Sequence, residues 1–188
     1  MTPKNDVSKT NFWKRWIYPR RKEILLTDWT LWLSIAVGGF LFIFPLKSPV
    51  HLFRGVTVEL LGTSVLSFAA IGLGISVALG VLVVTFPSGK LRTAMQSVNQ
   101  KNGRTAFSDL AFVAFWAGLS NLLAATVSLT VTIIAGPYKI LEDSNVVAAA
   151  ASGFIVASAL YALLQMLAAL IALLEAAGLV EKFEGPHD

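Results

Sequence analysis

Few residues in this 188-residue chain have side chains suited to catalysis or metal binding. Cysteine is absent, which excludes thiolate nucleophiles, thiolate metal ligands and disulfides. The two histidines, His51 and His187, lie far apart in the sequence and match no metal-ligand or hydrolase motif. Residues 88–90 (Ser-Gly-Lys) match the end of a phosphate-binding loop, but Val84 stands where that loop needs its first glycine. We therefore expect no enzyme activity, no cofactor and no bound metal.

Small and neutral polar residues recur at helical spacing inside two long apolar stretches, at alternating intervals of three and four residues. Such a face can pack tightly against another helix, with interhelical hydrogen bonds worth about 0.6 to 2 kcal/mol each. It can also line a water-filled path. The candidates for pore lining or helix interface are Gly118, Asn121, Ala125, Ser128, Thr132, Ser158, Tyr161 and Gln165.

Two amides and one row of small residues stand out in these stretches. Asn121 and Gln165 need a partner or water, because an unpaired amide in hydrocarbon is costly. In another apolar stretch, Gly72, Ser76 and Gly80 follow at intervals of four, which permits close approach of a neighbouring helix. We expect this row to be a close-packing surface.

The elements that must position these residues are four stretches without Asp, Glu, Lys or Arg: residues 29–46, 60–86, 110–134 and 146–174. A helix needs about 20 predominantly apolar residues to cross a bilayer. Hydrophobic residues make up 55% of the chain and charged residues only 14%, whereas soluble domains contain about 25% charged residues. The sequence predicts an all-α membrane protein with a four-transmembrane-helix bundle.

The remaining segments predict smaller elements. Residues 11–18 combine aromatic and basic residues, which predicts a cytoplasmic amphipathic segment at the membrane interface. Residues 88–98 predict a short cytoplasmic helix between spans two and three, and Ser108 or Asp109 is expected to cap the third span. Thr27 and Asp28 are the expected N-cap residues of the first span, with Asp28 just outside the apolar run. The predicted division is a basic tail (1–26), a transmembrane domain (27–179) and a short tail (180–188).

The distribution of basic residues predicts the orientation. Twelve of the 15 Lys and Arg residues lie in the two tails and the second loop, and three lie in the other loops. By the positive-inside rule both termini are cytoplasmic, as in a bacterial inner membrane or its equivalent. Membrane topology thus accounts for the net charge of +4, and nucleic acid is not an expected partner. The candidates for contact with anionic lipid or a soluble anionic ligand are Lys14, Arg15, Arg20, Arg21, Lys22, Lys90 and Arg92.

Three functions remain open at this point. The first is a homo-oligomeric channel or pore with a neutral polar lining, controlled by an anionic cytoplasmic ligand; a pore requires an oligomer, because one four-helix bundle is too narrow. The second is a non-catalytic membrane anchor or accessory subunit that docks other membrane proteins. The third, which rests on Trp116 and the many Phe residues, is a site for a lipid, quinone or pigment between helices.

The orientation can be tested with reporter fusions at each terminus. We expect both reporters to be active in the cytoplasm, since the basic residues favour that side. A C-terminal reporter active only outside the cell would contradict the prediction. Together with an internal N-terminus, it would imply an odd number of spans.

Overall fold

The computed structural model describes residues 28–47, 56–85, 105–138, 140 and 146–184, which form four α-helices and no strand. They are α1 (Trp29–Lys47), α2 (Val58–Thr85), α3 (Ala106–Ala135) and α4 (Val146–Glu184). Within the described residues α2, α3 and α4 are long and apolar enough to cross a membrane. The all-helical fold is thus confirmed, with three helices suited by length and composition to cross a membrane. The fourth span remains a prediction, because the apolar part of α1, Trp29–Ile43, is shorter.

The third helix begins earlier than the sequence suggested. Thr105, rather than Ser108 or Asp109, is the N-cap, and its side chain accepts a hydrogen bond from the Ser108 backbone N–H at 3.2 Å. The cap expected at Ser108 or Asp109 is therefore wrong, because a threonine one turn upstream already satisfies a free amide of the first turn.

Helices α2 and α3 are antiparallel neighbours that are tied together where α2 begins and α3 ends. The Val58 N–H donates to the Tyr138 carbonyl at 3.1 Å, and the Ile140 N–H donates to the Val56 carbonyl at 3.2 Å. The first bond satisfies an amide that the N-terminus of α2 leaves without a helical partner. Beneath these bonds, α4 joins a buried apolar core of Val58, Ala135, Ile140, Ala148, Ala151 and Ile155.

The centre of the bundle is built from alanine. Ala69 of α2, Ala124 of α3 and Ala162 of α4 are buried together, with Ala125 packed against them. Side chains this small let three helix backbones approach closely, which strengthens dispersion contacts where lipid provides no hydrophobic driving force. Helices α2, α3 and α4 therefore form a three-helix core.

Helix α1 packs against α4, at a crossing formed by glycine. A Cβ atom added to Gly38 would lie 2.7 Å from the Ala157 Cβ and 2.7 Å from the Gly153 carbonyl oxygen. A Cβ added to Gly153 would lie equally close to the Gly38 carbonyl oxygen. The neighbouring Gly39 has no such contact within 4 Å. The crossing thus depends on Gly38 and Gly153, not on glycine content in general.

Several sequence predictions concern residues outside the described ranges. The interfacial segment 11–18 and the short helix 88–98 are among them, as are residues 185–188 of the predicted C-terminal tail 180–188. The same holds for the candidates for anionic contact, Lys14, Arg15, Arg20, Arg21, Lys22, Lys90 and Arg92.

The glycine crossing gives a matched pair of variants. We expect Gly38→Ala and Gly153→Ala each to lower the free energy of unfolding by about 1 to 3 kcal/mol, because the new methyl group meets backbone atoms that cannot move aside. Gly39→Ala, one residue away, should leave the free energy of unfolding unchanged or raise it slightly. The measurement is unfolding of the purified protein in mixed micelles. Equal effects at Gly38 and Gly39 would contradict the crossing.

Candidate functional site: a polar cluster around Asp28

Asp28 caps the N-terminus of α1, as the sequence predicts. Its Oδ1 accepts a hydrogen bond from the Thr30 backbone N–H at 3.0 Å and another from the Thr30 hydroxyl. The Leu31 N–H donates to the Asp28 carbonyl at 3.2 Å. The carboxylate thus meets the positive end of the helix dipole and satisfies a free amide.

The second carboxylate oxygen of Asp28 reaches α4. Oδ2 accepts a hydrogen bond from the Gln165 Nε2 at 2.8 Å and a longer one from the Tyr161 hydroxyl at 3.5 Å. The Gln165 Nε2 also donates to the Thr30 hydroxyl at 2.9 Å. Polar bonds therefore attach the beginning of α1 to the middle of α4.

The same network extends to α3 through Trp116. Its indole Nε1 donates to the Tyr161 hydroxyl at 2.9 Å, and its ring stacks on Phe112 with centroids 5.8 Å apart. Three helices thus meet in one polar group, which we name the Asp28 cluster: Asp28, Thr30, Trp116, Tyr161 and Gln165.

The Asp28 cluster lies at the level of the middle of α2 and α3. A Cβ atom added to Gly72, half-way along α2, would lie 2.8 Å from the Sδ of Met166, the neighbour of Gln165, and would overlap the Asn121 amide. Asn121 is in turn near the middle of α3. Asp28 therefore begins its helix at mid-bundle, whereas the sequence suggested a position beyond the end of the first span.

A signal for this depth is present in the sequence. The first apolar run has 18 residues and the other three have 25 or more. When a shorter helix packs beside longer ones, at least one of its ends lies inside the bundle. Asp28 stands at one such end, and an ionisable residue within a membrane bundle is a default candidate for function.

The carboxylate of Asp28 uses its hydrogen-bonding capacity within the chain. An ionised carboxylate offers about four acceptor positions. Asp28 receives the Thr30 N–H, the Thr30 hydroxyl, the Gln165 amide and, at longer range, the Tyr161 hydroxyl. These donors are all neutral, and none of the side chains that the structure describes is Lys or Arg. The arrangement fits a structural joint between α1 and α4.

Asn121 lies in the interface between α2 and α3 and has no exposed surface. Its Nδ2 donates to the Ala117 carbonyl at 2.9 Å. Its Oδ1 fills the notch that Gly72 leaves in α2 and accepts no hydrogen bond from the described residues. About three helical turns further along α3, Thr132 fills the corresponding notch at Gly62, with the Ser128 carbonyl beside it.

The other predicted residues fall into distinct settings. Gly118 lies beside Ser76, since a Cβ added to Gly118 would be 3.4 Å from the Ser76 Cβ. The Ser158 hydroxyl donates within its own helix, to the Ile155 carbonyl at 2.9 Å. Gly80 is different from Gly72, because no atom lies within 4 Å of the position its Cβ would take. The predicted close-packing row is therefore divided: Gly72 packs inside the bundle, whereas Gly80 lies at an open surface.

Comparisons with known proteins add no family. No protein family, curated protein or solved structure matches this chain. The described residues also contain no group of three or more His, Cys, Asp or Glu side chains that could hold a metal ion. The function is therefore argued from the geometry.

The joint between α1 and α4 can be measured with a double-mutant cycle. We expect Gln165→Leu to lower the free energy of unfolding by about 1 to 3 kcal/mol, because it removes a donor to a half-buried carboxylate. The loss should be smaller in an Asp28→Asn background, since a neutral amide needs that donor less. Ser158→Ala, which removes only a bond within one helix, is the control. Additive effects of the Asp28 and Gln165 changes would contradict the joint.

Proposed function

We propose that the protein is a non-catalytic accessory or anchor subunit of the membrane, which docks a transmembrane helix of another membrane protein. In this proposal α1 and the residues that precede Asp28 together complete a fourth span, both termini are cytoplasmic, and basic residues of the tail and of the second loop contact anionic lipid. The observation that carries the proposal is an apolar groove on the outer surface of the bundle, between α2 and α3.

The groove has a volume of about 420 Å³. Its floor contains Ser76, Gly80 and Gly118, and its rim includes the exposed side chains of Val77 and Phe115. The remaining lining residues are Leu73, Val83, Ala111, Ala114, Leu119 and Leu122. Every one of these residues is apolar except Ser76, whose hydroxyl donates to the Gly72 carbonyl of its own helix.

A groove of this composition suits a helix better than it suits a polar solute. Gly80 and Gly118 leave backbone accessible, so another helix can approach closely and gain dispersion contacts. Ser76 already satisfies its donor internally, so docking an apolar helix leaves no unpaired polar group. The groove therefore supports recognition by shape.

The positions of the two amides favour the accessory subunit over the channel. A pore between identical subunits needs a polar face that points out of each subunit. Asn121 is 0% exposed and Gln165 is 7% exposed, and both contact residues of their own bundle. Many large apolar side chains of the described helices are exposed, such as Ile133 and Leu174. This outward surface suits lipid and partner helices.

The groove can be blocked without disturbing the bundle. Gly80→Leu places a side chain in open space on the groove floor, and Gly74→Leu does the same outside the groove. We expect Gly80→Leu to abolish association with a partner in native membranes, and Gly74→Leu to preserve it. Crosslinking followed by purification in mild detergent measures both. Loss of self-association instead would identify the partner helix as a second copy, and loss in both variants would contradict the groove.

Conductance separates the two functions directly. We expect no single-channel current from the purified protein in a planar bilayer. We also expect Asn121→Cys and Gln165→Cys to resist a small water-soluble thiol reagent, because both positions face packed protein. Ser67→Cys, at an exposed position of α2, is the control that measures how strongly the reagent labels a position facing lipid. Current from the parent protein, together with labelling at both amide positions, would favour the channel.

A further inference from the structure

The face of α4 that carries α1 continues beyond the end of α1. Gly153, Ala157, Tyr161 and Gln165 contact α1 along one side of α4, at helical spacing. The same side continues with Ala168, Ala172, Glu175 and Ala176, and α4 extends to Glu184. Helix α1 begins at Trp29, opposite Gln165, and does not reach these residues.

This continuation is apolar and close to a large exposed side chain. Ala168 and Ala172 are half-buried, and Ile171 at the edge of the face is 49% exposed. The alanines allow a neighbouring segment to approach as closely as α1 approaches Ala157. The face is thus continuous with an interface that α1 already occupies.

The chain itself brings a segment to the beginning of this face. Asp28 bonds to Gln165, so the chain that precedes Asp28 is tethered to this point of α4. The preceding segment, residues 19–27, contains three consecutive apolar residues at 24–26 and three basic residues at 20–22. Its occupancy of the face requires no new molecule, which removes the entropy cost of association.

The basic residues 20–22 are tethered at a distance from Asp28 that allows them to reach Glu175, an acidic residue on this face. Glu175 is ten residues beyond Gln165, which is about 15 Å along a helix. Residues 20–22 precede Asp28 by six to eight residues, so they reach about 9 to 12 Å as a helix and up to about 26 Å when extended. The position of Glu175 lies between these limits.

Charge favours the same pairing. The side chains that the structure describes include the acidic residues Asp28, Glu59, Asp109 and Glu175, and none of them is Lys or Arg. Glu175 is exposed on the continued face. Basic residues tethered within reach of this carboxylate gain Coulomb energy, which grows as the local dielectric constant falls.

We propose that residues 19–27 occupy this face of α4, with residues 24–26 against Ala168 and Ala172 and the basic residues 20–22 beside Glu175. The segment would extend the α1–α4 interface toward the end of α4. This assignment is independent of the α2–α3 groove and of the partner that binds there.

Engineered cysteines test the contact in a chain that contains none. Glu23→Cys, Ile24→Cys and Leu25→Cys are each combined with Ala172→Cys in the full-length protein. The matched control is Ala177→Cys, an alanine that is exposed on the opposite side of α4. After mild oxidation in membranes, protease cleavage and mass spectrometry of the monomer band detect a bond within one chain. A disulfide needs Cα atoms about 4.4 to 6.8 Å apart.

We expect at least one of the cysteines at positions 23, 24 and 25 to form an intrachain disulfide with Ala172→Cys. None of the three should form a disulfide with Ala177→Cys. A disulfide-linked dimer at position 172 would overturn the proposal and assign the face to a second copy. Absence of any bond at position 172, with parent-like elution of the variants, would overturn it in favour of lipid. Equal yields at positions 172 and 177 would also overturn it.

The charge contact has its own test. Glu175→Lys should lower the yield of the Ala172 disulfide about two- to fivefold, as expected for one exposed ion pair. Combining Glu175→Lys with R20E, R21E and K22E should restore the disulfide yield, because opposite charges then face each other again with their positions exchanged. An unchanged yield with Glu175→Lys would overturn the placement of residues 20–22.

Discussion

The structure depends on one constraint: a carboxylate inside a membrane bundle must find its hydrogen-bond donors in the protein, because lipid offers none. Asp28 shows the consequence most clearly. Its carboxylate lies at mid-bundle and collects donors from Thr30, Gln165 and Tyr161. Trp116 then joins the network through Tyr161. Because the network includes side chains of α3 and α4, satisfying one carboxylate also fixes where α1 begins and how α3 and α4 face each other.

Close approach of backbones is the second requirement, and it assigns different roles to glycines that look alike in sequence. Gly38, Gly62 and Gly72 each face an atom that an added Cβ would displace, whereas Gly39, Gly74 and Gly80 face open space. The first group holds the subunit together. Of the second group, Gly80 lies on the floor of the groove between α2 and α3, where open space is accessible to another helix.

The helices could be predicted from the sequence, but their rotations and offsets could not. Runs of apolar residues longer than a bilayer requires specify helices by themselves, and α1 to α4 follow those runs closely except where α4 continues to Glu184. The partners of Asn121 and Gln165 depend on how one helix is rotated against another, which periodicity does not define. The depth of Asp28 is not predictable from the sequence either, because a cap residue at the membrane surface and a carboxylate at mid-bundle have the same sequence signature.

Two contacts on α1 together define its position on α4. Asp28 bonds to Gln165, and Gly38 crosses at Gly153 and Ala157, ten residues further along α1. A slip of one helical turn, about 5.4 Å, would separate the carboxylate from its amide donor. Toward the C-terminus of α4, the same slip would also place Gly38 against Tyr161 instead of Ala157. Neither contact alone excludes rotation about its own point. Because the polar joint sets the register and the glycine crossing sets the distance, the two make a single arrangement favourable even though α1 packs chiefly against one helix.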